Sequence, residues 1–374
     1  MTLQERIAKL EEAALNPRKA IMNSMKETGK EAVGSYPIYT PEEIIYAGGF
    51  LPVGCWGGKI EFKESEAYYQ GFCCSIIKSN LEIGRRGGYD FLKAMFIPSF
   101  CDTLKCTIEN FKVGVPQVPV IPCIYPQNRW STGSCDYLVA ELKRIRTALE
   151  KATMSLIPEN KIEEAFELYE DYRAIMREFV AVAANYPRTI NAKARHLIIK
   201  AAQFMDKAIY KEEVKAITEE LKKLPEEKAE SFKVVTTGLI GEPVEVLEIF
   251  DENGISIAAD DVAQESRQFR VKARTTGSVW ERMAYRTLDQ KGDTFFAEKK
   301  LSKGEMLIDM VKQSGAEALV VIMMKFCDPE EFQYPVYKRQ FEEAGIPLLY
   351  IEIDQQMDSF EQLRTRIQSF AEMV

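Results

Sequence analysis

Ala318-Leu319-Val320-Val321-Ile322-Met323-Met324 runs directly into Lys325-Phe326-Cys327-Asp328-Pro329. Seven apolar residues in a row, followed by a polar turn, read as a strand buried on both faces. Asp and Pro after the turn then open a helix. Outward from this stretch the pattern repeats. Residues 340–344 belong to the helix, Ile346–Glu352 is a further strand, and 357–373 is a closing helix. Upstream, Lys233–Gly238 is a strand, Gly241-Glu242-Pro243 starts a helix through Phe250, and Asn253-Gly254 ends it before a strand over 255–259. A strand–helix–strand unit of this length predicts a parallel sheet. The first half carries the same grammar. Lys93–Pro98 is a strand that leads through Ser99-Phe100-Cys101-Asp102 into a helix reaching about Phe111. Val118–Pro122 is a strand, and 135–151 is a helix with Leu138, Leu142 and Ile145 in period.

The remaining segments are mostly helical. Residues 1–28 place Leu3, Ile7, Leu10 and Leu15 on an approximate apolar face. Thr40-Pro41-Glu42-Glu43 is a helix start with Thr40 as cap, Gly48-Gly49 stops it, and Leu51–Gly54 is a short apolar segment. Residues 159–223 are helical in pattern with one break, Asn185-Tyr186-Pro187-Arg188. The fold class that follows is α/β, with two doubly wound, Rossmann- or flavodoxin-like parallel-sheet domains and a helical segment between or around them. The division expected is a helical segment over 1–30, a first α/β domain over 31–158, a helical segment over 159–228 and a second α/β domain over 229–374.

Composition removes several function classes. A net charge of −8 over 374 residues disfavours nucleic-acid binding, which needs clustered Lys and Arg against phosphates. No apolar run approaches the length of a membrane span, and the N-terminus lacks the apolar core of a signal peptide. A cytoplasmic location is therefore expected. There are eight cysteines, and in that compartment they are thiols or metal ligands rather than disulfides. The single histidine, His196, argues against a metal site built on several imidazoles. No Walker A motif is present, and Gly238-Leu239-Ile240-Gly241 lacks the spacing of a dinucleotide fingerprint.

Cys101-Asp102 and Cys327-Asp328 each follow a buried strand and precede a helix. Ligands of parallel α/β sheets bind beyond the carboxyl ends of the strands. A helix N-terminus favours the thiolate that binds metal. Two thiols so placed either face a shared site or are small buried apolar residues, and their spacing alone does not choose.

The segments Phe72-Cys73-Cys74-Ser75-Ile76-Ile77-Lys78-Ser79, Ile97-Pro98-Ser99-Phe100-Cys101-Asp102-Thr103-Leu104 and Met324-Lys325-Phe326-Cys327-Asp328-Pro329-Glu330 resemble the 2-hydroxyacyl-CoA dehydratase family, which also contains benzoyl-CoA reductase subunits. Tyr125–Arg129, Asp260–Arg270 and Ile351–Gln356 extend the likeness over nearly the whole chain. It is nearest to β subunits acting on amino-acid-derived 2-hydroxyacyl-CoAs such as lactoyl-, 2-hydroxyisocaproyl- or phenyllactyl-CoA. The resemblance implies one [4Fe-4S] cluster held by Cys74, Cys101 and Cys327, with Cys73 an extra thiol beside the motif and an alternative ligand to Cys74. It implies a hydro-lyase of anaerobic amino-acid fermentation that converts an (R)-2-hydroxyacyl-CoA to the (E)-2-enoyl-CoA through a ketyl radical. It also implies a heterodimer with a related α subunit, electron input from an ATP-dependent [4Fe-4S] activator, and substrate held at the subunit interface or in the α subunit. On the same grounds, this chain's cluster relays or helps hold the electron. An aryl-CoA reductase subunit and a metal-free scaffold with buried thiols are the competing readings.

The remaining candidates have plainer readings. His196 is read as a surface residue, and Asp260-Asp261 as a helix cap. Gln264, Glu265 and Arg267 fit either a cleft or a polar helix face. Arg129 fits a phosphate, a partner or a loop salt bridge. Ser35 lies in a local pattern that differs from the one in which relatives contact substrate, so no role is assigned to it.

Overall fold

The computed structural model describes residues 1–298 and 300–374. The chain runs through α1 (Leu3–Leu15), α2 (Pro17–Thr28), β1 (Ala32–Ser35), α3 (Glu42–Ala47), β2 (Leu51–Gly54), α4 (Ser75–Arg85), β3 (Leu92–Pro98), α5 (Asp102–Gly114), β4 (Val120–Cys123) and α6 (Ser134–Thr153). Three helices follow: α7 (Glu159–Ala183), α8 (Ala192–Ala201) and α9 (Lys207–Leu221). The second half holds β5 (Lys233–Gly238), α10 (Val244–Glu252), β6 (Ser256–Val262), α11 (Val279–Leu288), α12 (Lys303–Ser314), β7 (Ala318–Met324), α13 (Asp328–Ala344), β8 (Leu348–Ile353) and α14 (Glu361–Ala371).

Two four-stranded sheets result, ordered β2-β1-β3-β4 and β6-β5-β7-β8, with every pair parallel. The α/β class with two doubly wound sheets is therefore the observed one. Both sheets share one topology, in which the chain reverses direction across the sheet between its first and third strands. That reversal opens a crevice at the carboxyl edge. The register puts Ser35 beside Phe96, and Gly238 beside Ile322, at those edges.

Sequence explains most of this. β7 is buried along its whole length, as its seven apolar residues require. β1 is the exception. Ala-Val-Gly-Ser has little strand propensity, and nothing local in it announces a strand. It forms because it pairs on both sides and because Gly34 lets β3 approach: a Cβ there would lie 2.5 Å from Met95 Sδ. The 159–223 stretch breaks twice, not once. The second break ends at Asp206, whose carboxylate caps α9 by accepting from the Ala208 N–H at 2.9 Å. Thr40 does not cap α3; its hydroxyl donates to Tyr36 O at 2.7 Å. The last helix starts at Glu361, four residues later than the periodicity suggests.

One core runs under both sheets. A second joins α1 to α7, α8 and α9 through residues such as Leu10, Phe179, Leu197 and Tyr210. The N-terminal helix thus completes the central helical layer. Among the described residues, no helix is long and apolar enough to cross a membrane.

Gly238 sits where β5 leaves the sheet, at φ +152°, and a Cβ there would lie 2.1 Å from Ile322 O. Gly315, the left-handed cap of α12 at φ +67°, has open space around it. Gly238→Ala should cost more than about 3 kcal/mol in urea unfolding, and Gly315→Ala about 1 kcal/mol. Equal costs would contradict the close approach of β5 and β7.

Candidate cysteine-lined site between the sheets

Cys74, Cys101 and Cys327 are the N-cap residues of α4, α5 and α13. The three helix starts face one cavity, and all three cysteines line it. Cys101 and Cys327 follow the third strand of each sheet, so the topology delivers them to equivalent edges. Cys74 reaches the same space from the helix after β2. The cavity's other walls are mostly apolar, including Pro37, Ile38, Trp56, Leu239 and Phe295.

Each thiol meets backbone donors at its helix start. Cys101 Sγ accepts from the Leu104 N–H at 3.4 Å. The N–H groups of Ile76 and Ile77 face Cys74, and that of Glu330 faces Cys327. Burial opposes them. It pushes the Cys74 thiol up to about 12, Cys101 to about 11 and Cys327 well above the ordinary range. Left alone, these groups stay protonated near neutral pH. A bound cation reverses that balance, because a coordinating thiol is deprotonated outright.

The other thiols are elsewhere. Cys73 does not line the cavity, and its Sγ lies 3.8 Å from Gln70 Oε1. Cys55 and Cys123 are buried against the backbone of their own strands, with Val53 O 3.5 Å and Ile121 O 3.8 Å from their sulfurs. Cys106 is exposed. Among the described residues, no group of three or more His, Cys, Asp or Glu is placed to hold a metal ion. The donors that line the cavity are three soft sulfurs, the ligand type that iron–sulfur clusters take.

The loops that carry these cysteines are locked in place. Ser75 Oγ accepts from the Gln355 N–H at 3.2 Å, and the Gln355 side chain reaches Ser79 Oγ at 3.1 Å and Trp56 O at 2.9 Å. Gln355 belongs to the second half and Cys74 to the first, so this contact clamps the two together. Phe100 stacks on Tyr125 at 4.4 Å and packs against Phe295 and Phe296. Behind Cys327, Glu330 meets Arg267 at 2.8 Å, Lys303 at 2.7 Å and Thr294 Oγ1 at 2.9 Å, while Asp261 meets Arg267 at 3.0 Å and also pairs with Arg270. Ile38, Tyr39 and Phe326 hold φ of +79°, +55° and +64°. This is strain of the kind that gathers at functional loops.

Several sequence readings need correction. His196 is not on the surface; it is 0 % exposed, and its Nδ1 lies 2.8 Å from Glu265 Oε1. Burial disfavours its charged form, but Glu242 and Glu265 outweigh that and raise its pKa. Asp260-Asp261 do not precede an α-helix. They end β6 as buried partners of Arg195, Arg267 and Arg270, although Asp260 also accepts from the Ser266 N–H at 3.0 Å. Gln264, Glu265 and Arg267 are buried rather than on a polar helix face. Of the readings for Arg129, the loop salt bridge is the one observed, buried and to Glu298 at 2.5 Å. Trp56, on the cavity wall, has no local motif to mark it in the sequence.

Burial alone would raise Glu330 and Asp261, but the cations around them prevail. Lys303 and Arg267 hold Glu330 at about 2, and Arg267 and Arg270 hold Asp261 at about 2. Both pKa values are depressed relative to the unfolded chain. The stability they confer is therefore fully present above about pH 4.5 and is lost as pH falls towards 2. Acid unfolding should steepen in that window. Glu330→Gln should cost about 3–5 kcal/mol at pH 7 and flatten part of the acid dependence. An unchanged acid profile in this variant would contradict the network.

Comparison with known proteins now adds to the geometry. The family model described as 2-hydroxyglutaryl-CoA dehydratase, D-component, matches residues 37–374. Lactoyl-CoA dehydratase subunit beta of Anaerotignum propionicum is 43 % identical over 370 residues, covering 98 % of both chains. The (R)-phenyllactyl-CoA dehydratase beta subunit of Clostridium sporogenes is 39 % identical over 357 residues, covering 96 % of this chain and 95 % of the relative. A benzoyl-CoA reductase subunit of Thauera aromatica is 23 % identical over 354 residues, covering 93 % of this chain and 92 % of the relative.

Proposed function

The chain belongs to the 2-hydroxyglutaryl-CoA dehydratase D-component family, and on that premise we propose that it is the iron–sulfur β subunit of an (R)-2-hydroxyacyl-CoA dehydratase. One observation carries the reading: Cys74, Cys101 and Cys327, from three separate helix starts, line one apolar cavity. In this reading the three thiolates hold one [4Fe-4S] cluster. When bound, the cluster supplies one-electron chemistry at low potential.

What the chain itself contributes is exclusion and orientation. Apolar walls at Ile76, Leu104, Leu239 and Phe295 limit water at the sulfurs, with Cys327 buried and Cys74 and Cys101 half-buried. Low polarity, N–H donors and shielding are the levers by which a protein sets a cluster's potential. The helix N-termini offset part of the cost of burying thiolate charge. The buried Arg267–Glu330–Lys303 group fixes the start of α13 and hence the direction of Cys327.

The reaction of the complex removes water from a 2-hydroxyacyl-CoA to give the 2-enoyl-CoA. The β-proton is too weakly acidic for simple elimination. One electron added to the thioester carbonyl gives a ketyl radical anion that expels hydroxide; the resulting radical then loses its far more acidic β-proton, and the electron leaves again to give the 2-enoyl-CoA. A related α subunit and a separate ATP-hydrolysing [4Fe-4S] activator complete the system, with substrate at the interface or in the α subunit. The assembly works in the cytoplasm of an anaerobe that ferments amino acids, where thiols stay reduced.

Anaerobic reconstitution with an α partner and the activator tests this reading. Water elimination from lactoyl- or phenyllactyl-CoA should proceed, with no reduction of benzoyl-CoA. Cys74→Ser, Cys101→Ser and Cys327→Ser should each lower the rate at least about a hundredfold, as loss of a metal ligand does, and Cys73→Ser less than about threefold. Aryl-CoA reduction in place of elimination would move the chain to the reductase branch.

A further inference from the structure

A second cavity shares the Pro37, Ile38 and Trp56 wall with the cysteine pocket. It is small and polar, with about 30 Å³ of interior space, room for one or two water-sized groups, and lies between the end of β1 and helices α3, α7 and α11. Four side chains on it, those of Ser35, Trp56, Gln203 and Arg286, make no hydrogen bond among the described residues, and Arg286 Nε is fully buried. Buried polar groups nearly always find partners, so four around one space call for an occupant.

Arg286 is the most demanding of them. Its side chain is 6 % exposed, yet its guanidinium donates no hydrogen bond among the described residues. Its nearest carboxylate is Glu43, with Oε1 3.8 Å from Nε, beyond bonding length. The neighbouring charges are mostly committed, although Glu43 Oε2 has no partner among the described residues. Arg173 holds Glu43 and also Glu170 at 2.6 Å, and Lys207 holds Glu42 at 3.2 Å. Burial first, and then the like charge of Arg173, keep the Arg286 pKa below the ordinary arginine value, whereas that of the well-paired Arg173 is raised. A guanidinium offers five donors in a planar fork that matches a carboxylate, and Trp56 Nε1 adds a donor from the shared wall.

We propose that this cavity binds a small carboxylate, gripped by the Arg286 fork and by Trp56 Nε1, one wall away from the cysteine pocket. The site does not depend on the cluster assignment. The test uses the anaerobically purified full chain in complex with its partner. Formate is titrated calorimetrically, with formamide as the uncharged isostere and gluconate, too bulky for the cavity, matching ionic strength. Formate should bind saturably and formamide should not. Arg286→Gln should weaken formate binding at least about tenfold, the usual effect of losing a charge-assisted hydrogen bond. Trp56→Phe, which keeps the ring and removes one donor, should weaken it by about threefold to tenfold. Three results would overturn the proposal: no saturable formate binding, equal binding of formamide, or formate binding undiminished in both variants. If Arg286→Gln does not fold, Trp56→Phe decides.

Discussion

A thiol taken out of water keeps its proton, and the site depends on that constraint. Burial raises Cys74, Cys101 and Cys327 far enough that none ionises alone near neutral pH. Helix N-termini and backbone N–H groups push the other way but do not win. In the proposed reading, a positively charged inorganic centre among the three thiols is what would release their protons. The same burial that makes the protonated thiols unreactive gives a bound cluster its dry, low-polarity setting.

Three cysteines from two sheets stay together only while the sheets do. The Gln355 clamp to Ser75, Ser79 and Trp56 joins the end of β8 to the start of α4. The buried charges around Asp261 and Glu330 tie the loops after β6 to the start of α13. Buried ion pairs are poor sources of net stability but costly to break, so they lock geometry better than they add free energy. The left-handed residues Ile38 and Phe326 lie on the cavity wall, where locked surroundings hold strained backbone.

Much of this is legible in the sequence. β7 declares itself by an unbroken apolar run, and the strand–Cys–Asp–helix pattern marks two of the three cysteines. Cys74 needs the family likeness, because no strand signal precedes it. What escapes is set by tertiary context. β1 has four small residues and forms through pairing on both sides. His196 sits among lysines and arginines in sequence, but its helix turns it inward against Glu265. Asp260 and Asp261 look like caps because their arginine partners are distant or on the other side of a turn. Arg286 and Trp56 belong to no motif, and only the cavity between α11 and β1 gives them meaning.

The central claim is that one cluster sits between the two sheets on three cysteines. Mössbauer spectroscopy of the anaerobically purified, ⁵⁷Fe-grown chain, with iron and acid-labile sulfide counted, tests it most directly. The account predicts about four irons and four sulfides per chain, with one iron distinct from the other three because it lacks a cysteine. Folded, partner-bound protein without iron, or with a single mononuclear iron, would contradict it.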